Sequence, residues 1–363
     1  MSVTTLAFTG YGLASSLGGA ITAAAAFRAG IVRAAYRESF SVDLPDGEEA
    51  PVACHAARPV TEGFELHGLW LRLADLALAD LRMNLTRAGQ AWETCWRDTA
   101  LIVVLPAITA ERFGAPDPAP HEDCLRWFLH PLLASLPERP RSHVLLARGA
   151  SGVADGILRV QVLCAAGEVT RGIVLAVDSL CDRSSLEWLV ASGRLKLPGH
   201  PVGLQPGEAA VCLVVEPIVG EPRPGQVVIV GAAHDPAPRT DVGSSGMTGM
   251  LAGQAGRRCL EQVRPGTQRL VADHYVDLNG EEERSLAWGH LLAQTTPWMV
   301  LSQRESWYPV GGFGDTGAAS AALACVLAIR AIERGYARTA TALVWTNAES
   351  TGAPAVIMLE HCR

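Results

Sequence analysis

The chain contains an internal repeat, and this repeat limits the folds that it can adopt. The segment ASGVADGILRVQVLCAAGEVTRGIVLAVDS, which begins at Ala150, aligns without a gap with AASAALACVLAIRAIERGYARTATALVWTN, which begins 168 residues later at Ala318. Each copy predicts a helix that ends at a glycine (Gly167 or Gly335), then a short basic turn and a buried strand. Because there are only two copies, they indicate a duplicated βα unit and not a solenoid.

The beginnings of the two halves also agree. VTTLAFTGYGLASS, from Val3, has a counterpart in GQVVIVGAAHDPAP, from Gly225. Between the halves, residues 217–225 read PIVGEPRPG, a composition rich in proline and glycine that is typical of a connecting segment. We therefore predict an N-terminal half over residues 1–216 and a C-terminal half over residues 217–363, joined in one integrated domain.

Apolar runs bounded by turn residues recur along the chain and predict strands. They are continuous, not alternating, which is typical of strands covered on both faces. The runs begin at Thr4, Thr99, His143, Gly172, Ala210, Gln226, Thr341 and Ala355. Helical patterns lie between them over residues 69–81, 246–263 and 318–334. This alternation predicts an α/β fold.

Composition and charge exclude several classes of function. The chain has 49% hydrophobic and 18% charged residues, and its net charge of -7 comes without a run of lysine or arginine that could follow a phosphate backbone. We therefore expect no nucleic-acid partner. No stretch approaches the ~18 apolar residues of a membrane span, and the first basic residue, Arg28, comes too late for a signal peptide. Nine scattered cysteines indicate neither a disulfide framework nor a zinc ribbon. These three observations together predict a soluble, cytoplasmic protein.

The segment HEDCLRWFLHPLLASL carries a leucine-rich stripe at helical spacing. Its members are Leu125, Phe128, Leu129, Leu132, Leu133 and Leu136. The stripe predicts a helix that packs into the core and bends at Pro131. His121 and Cys124 have a spacing that a metal could use, but no second pair follows them, so we interpret them as part of an exposed loop.

A second polar group lies in ADHYVDLNGEEER. If this segment is a strand, Asp273 and Asp277 share one face and His274 points away, so the three side chains do not converge on a substrate. Residues 281–284, EEER, follow Gly280 and are interpreted as the solvated start of a helix, where carboxylates suit the helix dipole.

Six stretches spread over nearly the whole chain resemble one family of enzymes. They are FTGYGLASSLGGAI from Phe8, AAGEVTRGIVLAVDS from Ala165, SLEWLVASGRLKLPGHPVGLQPGEAAVCLVVE from Ser185, DLNG from Asp277, FGDTGAASAALACVLAIRA from Phe313 and ALVWTNAESTGAPAVIMLE from Ala342. In sequence and order they resemble the β-ketoacyl synthase branch of the thiolase superfamily. The resemblance implies a thiolase-like five-layer αβαβα sandwich of two duplicated halves. Residues 150–165 and 318–333 would then form two buried central helices, antiparallel and packed on each other.

The catalytic residues of that family are not matched. The resemblance places the nucleophilic cysteine at Ala150, the first histidine at Asn279 and the second at Gly314, and the glycine-phenylalanine gate at residues 349–352 reads ESTG. We therefore expect no catalytic residues, no cofactor and no metal. Ser151 is the one nucleophile type at that helix start, and we interpret it as a residue that caps backbone amides.

The resemblance leaves more than one function open. The signatures DLNGE (residues 277–281) and GDTGAA (residues 314–319) are similar to those of thiolase-like proteins that accompany type VI secretion effectors, which implies an inactive adaptor or chaperone that helps to load or deliver such an effector. The alternative is a non-catalytic ketosynthase-like subunit of the chain-length-factor type in a fatty-acid or polyketide synthase. A third hypothesis, an acyltransferase with a different nucleophile, lacks a pair of residues that could carry it.

The same resemblance implies a dimer. In the family, the strand before the nucleophile position pairs with its two-fold mate, and here that strand contains His143, Val144, Leu145, Leu146, Ala147 and Arg148. An apolar strand of this kind at an exposed sheet edge would invite uncontrolled pairing. We therefore expect a homodimer, or a heterodimer with a thiolase-like partner, through this strand.

Overall fold

A computed structural model describes residues 4–44, 47–114, 119–235, 245–263, 269–296, 298–299, 306–347 and 353–362. Its strands are β1 (Leu6–Ser15), β2 (Ala35–Asp43), β3 (Glu49–Cys54), β4 (Thr99–Leu105), β5 (Ser142–Ala147), β6 (Arg171–Ser179), β7 (Glu208–Pro217), β8 (Val227–His234), β9 (Asp273–Val276), β10 (Ser306–Trp307), β11 (Thr341–Asn347) and β12 (Pro354–His361). Its helices are α1 (Ala20–Arg28), α2 (Leu66–Arg87), α3 (Ala110–Phe113), α4 (Ala119–Asp123), α5 (His130–Ser135), α6 (Gly152–Ala165), α7 (Arg183–Ala191), α8 (Ser245–Val263), α9 (Glu282–Thr295), α10 (Val310–Phe313) and α11 (Ser320–Glu333).

The strand order repeats in the two halves of the chain. One mixed sheet runs β10-β9-β11-β12-β8-β1-β7-β6-β4-β5, and β2 and β3 form a separate hairpin. From the centre outward, each half places its first strand, then its last, then the remaining three in the same order and with the same parallel and antiparallel pairings. The halves are joined where Leu6, Ala7 and Phe8 of β1 pair with β8. The predicted duplication is confirmed, and the division at residue 216 stays a prediction.

The side chains of the sheet alternate between two kinds of helical layer. In β4, Ile102 and Val104 face a central layer with α1, α6 and α11, whereas Leu101 and Val103 face an outer layer with α2 and α5. In the C-terminal half, Val344 of β11 faces the central layer, and the other side of that sheet is covered by α8 and α9. The layers run helix, N-terminal half of the sheet, central helices, C-terminal half of the sheet, helix, which confirms the predicted five-layer αβαβα sandwich.

The two central helices start and end in the same way. A 3-10 turn precedes each helix, Gly149–Ser151 before α6 and Gly317–Ala319 before α11. Each helix ends at the predicted glycine in the left-handed conformation, Gly167 with φ 71° and Gly335 with φ 68°. In both, the amide after the glycine donates to the carbonyl five residues back, which closes a Schellman motif. The repeat in the sequence therefore reproduces the turns as well as the helices.

The central helices α6 and α11 share one hydrophobic core, as expected, but the expected close approach along their length needs a correction. Their backbones come closest at the two starting turns and not along the helix bodies. The glycines of α6 face the N-terminal strands instead: a Cβ atom at Gly156 would lie 3.1 Å from Cγ2 of Ile102 and 3.3 Å from Cγ1 of Val174. The absence of a side chain at Gly156 thus lets a helix lie close to β4 and β6.

Replacing Gly156 with leucine should lower the free energy of unfolding on the order of 1 to 3 kcal/mol, since the new side chain would overpack the contact with Ile102 and Val174. Urea denaturation measures the loss. Val162→Leu on the same helix is the matched control, because Val162 is 67% exposed. This substitution should change the free energy of unfolding by no more than about 0.5 kcal/mol. Equal effects of the two substitutions would show that α6 does not pack closely on the sheet at Gly156.

The leucine-rich segment lies in the core, as predicted. α4 continues through a π-helical turn, Cys124–Leu129, into α5, so the helical path changes just before Pro131. Phe128, Leu129 and Leu132 are buried against α2. No helix within the described ranges combines the length and the hydropathy that a membrane span requires.

Candidate functional site

The turns that begin α6 and α11 contact each other, next to the positions that the resemblance assigns to the catalytic residues. Ala150 lies in the first turn and is 2% exposed, and its methyl group offers no nucleophile. Ser151 is buried beside it, and its hydroxyl donates to the carbonyl of Arg148 at 3.0 Å. The expectation that Ser151 caps backbone amides was wrong, because its hydroxyl satisfies a carbonyl three residues earlier instead. The acceptor in that hydrogen bond is a carbonyl oxygen, which cannot act as a base that activates the hydroxyl.

Asn279 is held by two carboxylates. Its Nδ2 donates to Oδ2 of Asp315 at 2.7 Å and to Oε2 of Glu281 at 2.6 Å, and its Oδ1 accepts from the Glu281 amide at 3.1 Å. Asp315 also accepts from the amide of Gly317 through Oδ1 at 2.9 Å, so it stabilises the turn that begins α11. Asn279 therefore uses its side-chain donors on the protein itself.

Arg284 and Arg194 supply the positive charges of this cluster. Nη1 of Arg284 lies 2.5 Å from Oδ2 of Asp277, and its Nη2 lies 3.3 Å from Oδ2 of Asp315. Arg194 binds both oxygens of Glu281, at 2.6 and 2.9 Å. We call these residues, with Asn279, the 277–315 network. It joins three segments that are far apart in the sequence, around residues 194, 277–284 and 315, and lies next to the start of α11.

The network corrects the interpretation of residues 281–284 as a solvated helix start. Glu282 is exposed in the first turn of α9 and suits the helix dipole as expected. Arg284 is buried, however, and Glu281 is largely covered by Arg194 and Asn279. The residues at the two ends of the EEER segment, Glu281 and Arg284, therefore form ion pairs inside the protein.

The network shifts the acidity of its carboxyl groups in opposite directions. Burial raises the pKa of Asp277 to about 6, against the opposing charge of Arg284. Burial alone would also raise the pKa of Glu281, but the hydrogen bond and charge of Arg194, with the charge of Arg284, lower that pKa to about 2. Glu281 is thus a firmly ionised partner of Arg194, and Asp277 carries its charge at a higher cost.

Asp178, at the end of β6, binds the start of α11 from the other side. Its Oδ2 accepts from the amide of Ala318 at 2.9 Å, and its Oδ1 accepts from Nη2 of Arg112 at 2.7 Å. Gly317 has φ 51°, and a Cβ atom there would lie 2.0 Å from the Asp178 carboxylate. Burial raises the pKa of Asp178, and the charge of Arg112 and the amide of Ala318 oppose that rise. The carboxylate fits only because residue 317 is glycine.

Gly314 leaves no room for a side chain. Its φ is 69°, and a Cβ atom would lie 2.7 Å from the carbonyl oxygen of Pro206 and 2.9 Å from Cδ2 of His55. His55 is a buried residue that the sequence did not single out. Its Nδ1 lies 3.0 Å from the Gly312 carbonyl and its Nε2 lies 3.1 Å from Oε1 of Gln205. Burial lowers the pKa of His55, so the ring is neutral. The neutral ring packs against the backbone at Gly314.

One cavity next to these positions is small. The cavity bounded by Val276, Gly314, Thr316, Trp345 and their neighbours has a volume of about 10 Å³, close to the minimum that one water needs. The predicted gate at residues 349–352 lies outside the described residues.

The other candidates from the sequence do not form a reactive group. Sγ of Cys124 lies 3.5 Å from Nε2 of His67, but burial raises the pKa of the thiol to about 12 and lowers that of His67, so both stay neutral. His121 is exposed on α4, a helix and not the expected loop, and does not converge with Cys124. Asp273 binds the amide of Arg338, away from Asp277, so these groups do not converge either. Within the described ranges, no cluster of three or more metal-ligating side chains occurs.

Comparisons with known proteins identify the architecture. No protein-family model and no curated protein matches the sequence. Among solved structures, the ishigamide ketosynthase/chain length factor has a TM-score of 0.66 and 19% identity, over 99% of this chain and all of that one. A ketosynthase solved in complex with its type II polyketide-synthase acyl-carrier protein has a TM-score of 0.71 and 13% identity, over 99% of this chain and all of that one. A β-ketoacyl synthase from Burkholderia phymatum has a TM-score of 0.62 and 15% identity, with 99% and 100% covered. These likenesses and the duplicated five-layer architecture show that the chain has the thiolase-like ketosynthase fold.

Proposed function

We propose that the chain is a non-catalytic ketosynthase-like subunit, of the chain-length-factor type, that pairs with an active ketosynthase. The observation that carries the proposal is which residues occupy the two central turns and their surroundings. Ala150 occupies one of them, and the 277–315 network occupies the positions around the other. A fold shared with a ketosynthase/chain length factor gives such a chain a role that needs no nucleophile of its own.

The chemistry of acyl transfer explains why these contacts argue against an enzyme. A thioester needs a nucleophile, and the developing oxyanion or carbanion needs donors that point at it. Ala150 provides no nucleophile, and the Nδ2 hydrogens of Asn279 are directed at the carboxylates of Asp315 and Glu281. Gly314 has neither a donor nor space for one. The donors that could stabilise a transition state are therefore used to hold the fold.

Incubation with an acyl-carrier protein or acyl-coenzyme A should leave the protein without a covalent acyl group, because no described residue at the central turns can form a thioester. Intact-protein mass spectrometry checks this, with an active ketosynthase as the positive control. Ala150→Cys is the informative variant: we expect little or no acylation, since the donors around Asn279 remain occupied. A stoichiometric adduct on the native helix start would contradict the proposal.

The partner surface that we propose is the open edge of β5. This strand pairs with β4 on one side and ends the described order of the sheet. Val144 and Leu145 are partly exposed there. An apolar edge of this kind is stabilised by a second strand, and a thiolase-like chain with the same edge could supply it in a homodimer or a heterodimer.

Leu145→Pro should abolish that association, because proline removes a backbone donor and restricts the strand. Analytical ultracentrifugation of the protein, alone and with a candidate ketosynthase, measures the mass. Val219→Pro is the matched control: Val219 is 94% exposed in the segment between the halves, and we expect no change in mass. Circular dichroism shows whether the Leu145 variant is folded. A folded variant that still associates would place the interface elsewhere.

The second candidate function is an adaptor or chaperone for a type VI secretion effector. It is favoured by the DLNGE and GDTGAA signatures, which in the structure are the two arms of the 277–315 network. Both signatures thus contribute residues to one largely buried cluster. A pull-down of the native protein with mass spectrometry separates the two functions: recovery of a ketosynthase and a carrier protein supports the subunit, and recovery of a secretion effector supports the adaptor.

A further inference from the structure

A cleft of about 350 Å³ lies between the ends of α1 and α11, away from the central turns. Ala24 and Ala25 of α1 form part of its wall, and Arg28, Arg330, Arg334 and Tyr336 are among its other lining residues. The volume is within the range of small-molecule sites. Because α1 comes from the N-terminal half and α11 from the C-terminal half, a ligand there would contact both halves.

The three arginines of the cleft are arranged differently. Arg330 is 9% exposed and is fixed in place, since its Nη1 donates to Tyr11 Oη at 3.0 Å and pairs with Glu333 at 2.7 Å. Arg28 lies over the ring of Tyr336, with 4.1 Å between Cζ and the ring centroid. Arg28 and Arg334 are exposed at the rim, and neither forms an ion pair within the described part of the chain. The cleft therefore has one buried cation and two accessible ones.

The charge of the cleft exceeds what the protein itself balances. Three guanidinium groups stand against the carboxylate of Glu333, in a chain whose net charge is -7. Basic residues near helix ends stabilise their own helices, which accounts for Arg28 and Arg334 one at a time. It does not account for their convergence with buried Arg330 on one cleft whose α1 wall is small and apolar.

We propose that this cleft binds a small molecule that carries a phosphate ester or diphosphate group. Guanidinium groups bind phosphate oxygens through paired, charge-assisted hydrogen bonds, and a phosphate presents enough oxygens for more than one arginine. The apolar wall at Ala24 and Ala25 would contact the rest of the molecule. Binding would hold α1 to α11 and so stabilise the folded chain.

Isothermal titration calorimetry of the full chain with pyrophosphate, in a phosphate-free buffer, tests the proposal. We expect binding to the native protein and a higher melting temperature in the presence of pyrophosphate. Arg334→Gln should weaken binding about tenfold, since one charge-assisted contact is lost, and the double variant Arg28→Gln/Arg334→Gln should not bind over the same range. Arg257→Gln is the matched control, because Arg257 is a partly exposed arginine of α8 paired with Glu261, and it should bind like the native protein.

Three outcomes would overturn the proposal. They are no binding to the native protein at millimolar pyrophosphate, unchanged binding in the double variant, and equal weakening by Arg257→Gln, which would reveal a general effect of charge. Arg28 and Arg334 are exposed, so these substitutions should leave the fold intact, and circular dichroism verifies this before titration.

Discussion

Replacing Arg284 with methionine is expected to lower the free energy of unfolding by about 3 to 5 kcal/mol. The guanidinium lies 2.5 Å from Asp277, 3.3 Å from Asp315 and 3.7 Å from Glu281. Methionine retains an apolar stem of similar volume, but it leaves Asp277 and Asp315 buried without the charge that compensates them. Urea denaturation at neutral pH, with the slope of the transition checked for two-state behaviour, measures the loss.

Two further variants separate charge from packing in this result. Arg257→Met removes an arginine of a partly exposed i,i+4 pair on α8 and should cost less than about 1 kcal/mol. Adding Asp277→Asn and Asp315→Asn to Arg284→Met should recover part of the stability, because the uncompensated carboxylates are then removed. A loss no larger than that of the Arg257 control would mean that the 277–315 network contributes little to the fold.

The fold could be predicted because its determinants are local or periodic. The two copies of the repeat carry the same helix, the same terminal glycine and the same strand, and Gly167 and Gly335 adopt the same left-handed conformation. The continuous apolar runs gave the positions of the principal strands, since a strand buried on both faces has few polar residues. The path of the chain between the sheets follows from these elements and from the resemblance.

The 277–315 network could not be predicted, because its contacts are long-range. Residues 281–284 have the local pattern of an exposed helix start, and nothing near them in the sequence indicates that Arg194 binds Glu281 or that Asp315 lies beside Arg284. His55 was missed for the same reason, since its partners Gly312 and Gln205 are 257 and 150 residues away. A charge pattern predicts exposure well only when its partners are neighbours in the sequence.

The small residues of the central helices show a second limit of the sequence. Glycine and alanine at helical spacing indicate that something approaches closely, but not what it is. The expectation was the other central helix, whereas Gly156 contacts the side chains of Ile102 and Val174 on the sheet. At Gly317 the approaching group is the carboxylate of Asp178. The same residue type thus serves sheet packing in α6 and a buried ion pair at the start of α11.

Asp178→Ala is the second substitution with a large expected effect, a loss of about 3 to 5 kcal/mol in the free energy of unfolding. Two groups lose their partner at once. The side chain of Arg112 is 2% exposed and would keep a buried charge without its carboxylate, and the amide of Ala318 would lose its acceptor at the start of α11. An orphaned buried donor adds its own desolvation penalty to that of the charge.

Asp178→Asn separates these two contributions, because its side-chain oxygen can still accept from Ala318 while the charge facing Arg112 is gone. We expect it to lose less stability than Asp178→Ala and more than Asp98→Ala, the matched control. Asp98 forms an ion pair with Arg141 in which the side chains are 52% and 56% exposed, so its removal should cost at most about 1 kcal/mol. Guanidinium denaturation of the three variants orders them. If Asp178→Ala unfolds no more easily than Asp98→Ala, then the carboxylate beneath Gly317 does not hold the start of α11, and the tight fit of Gly317 over it reflects packing alone.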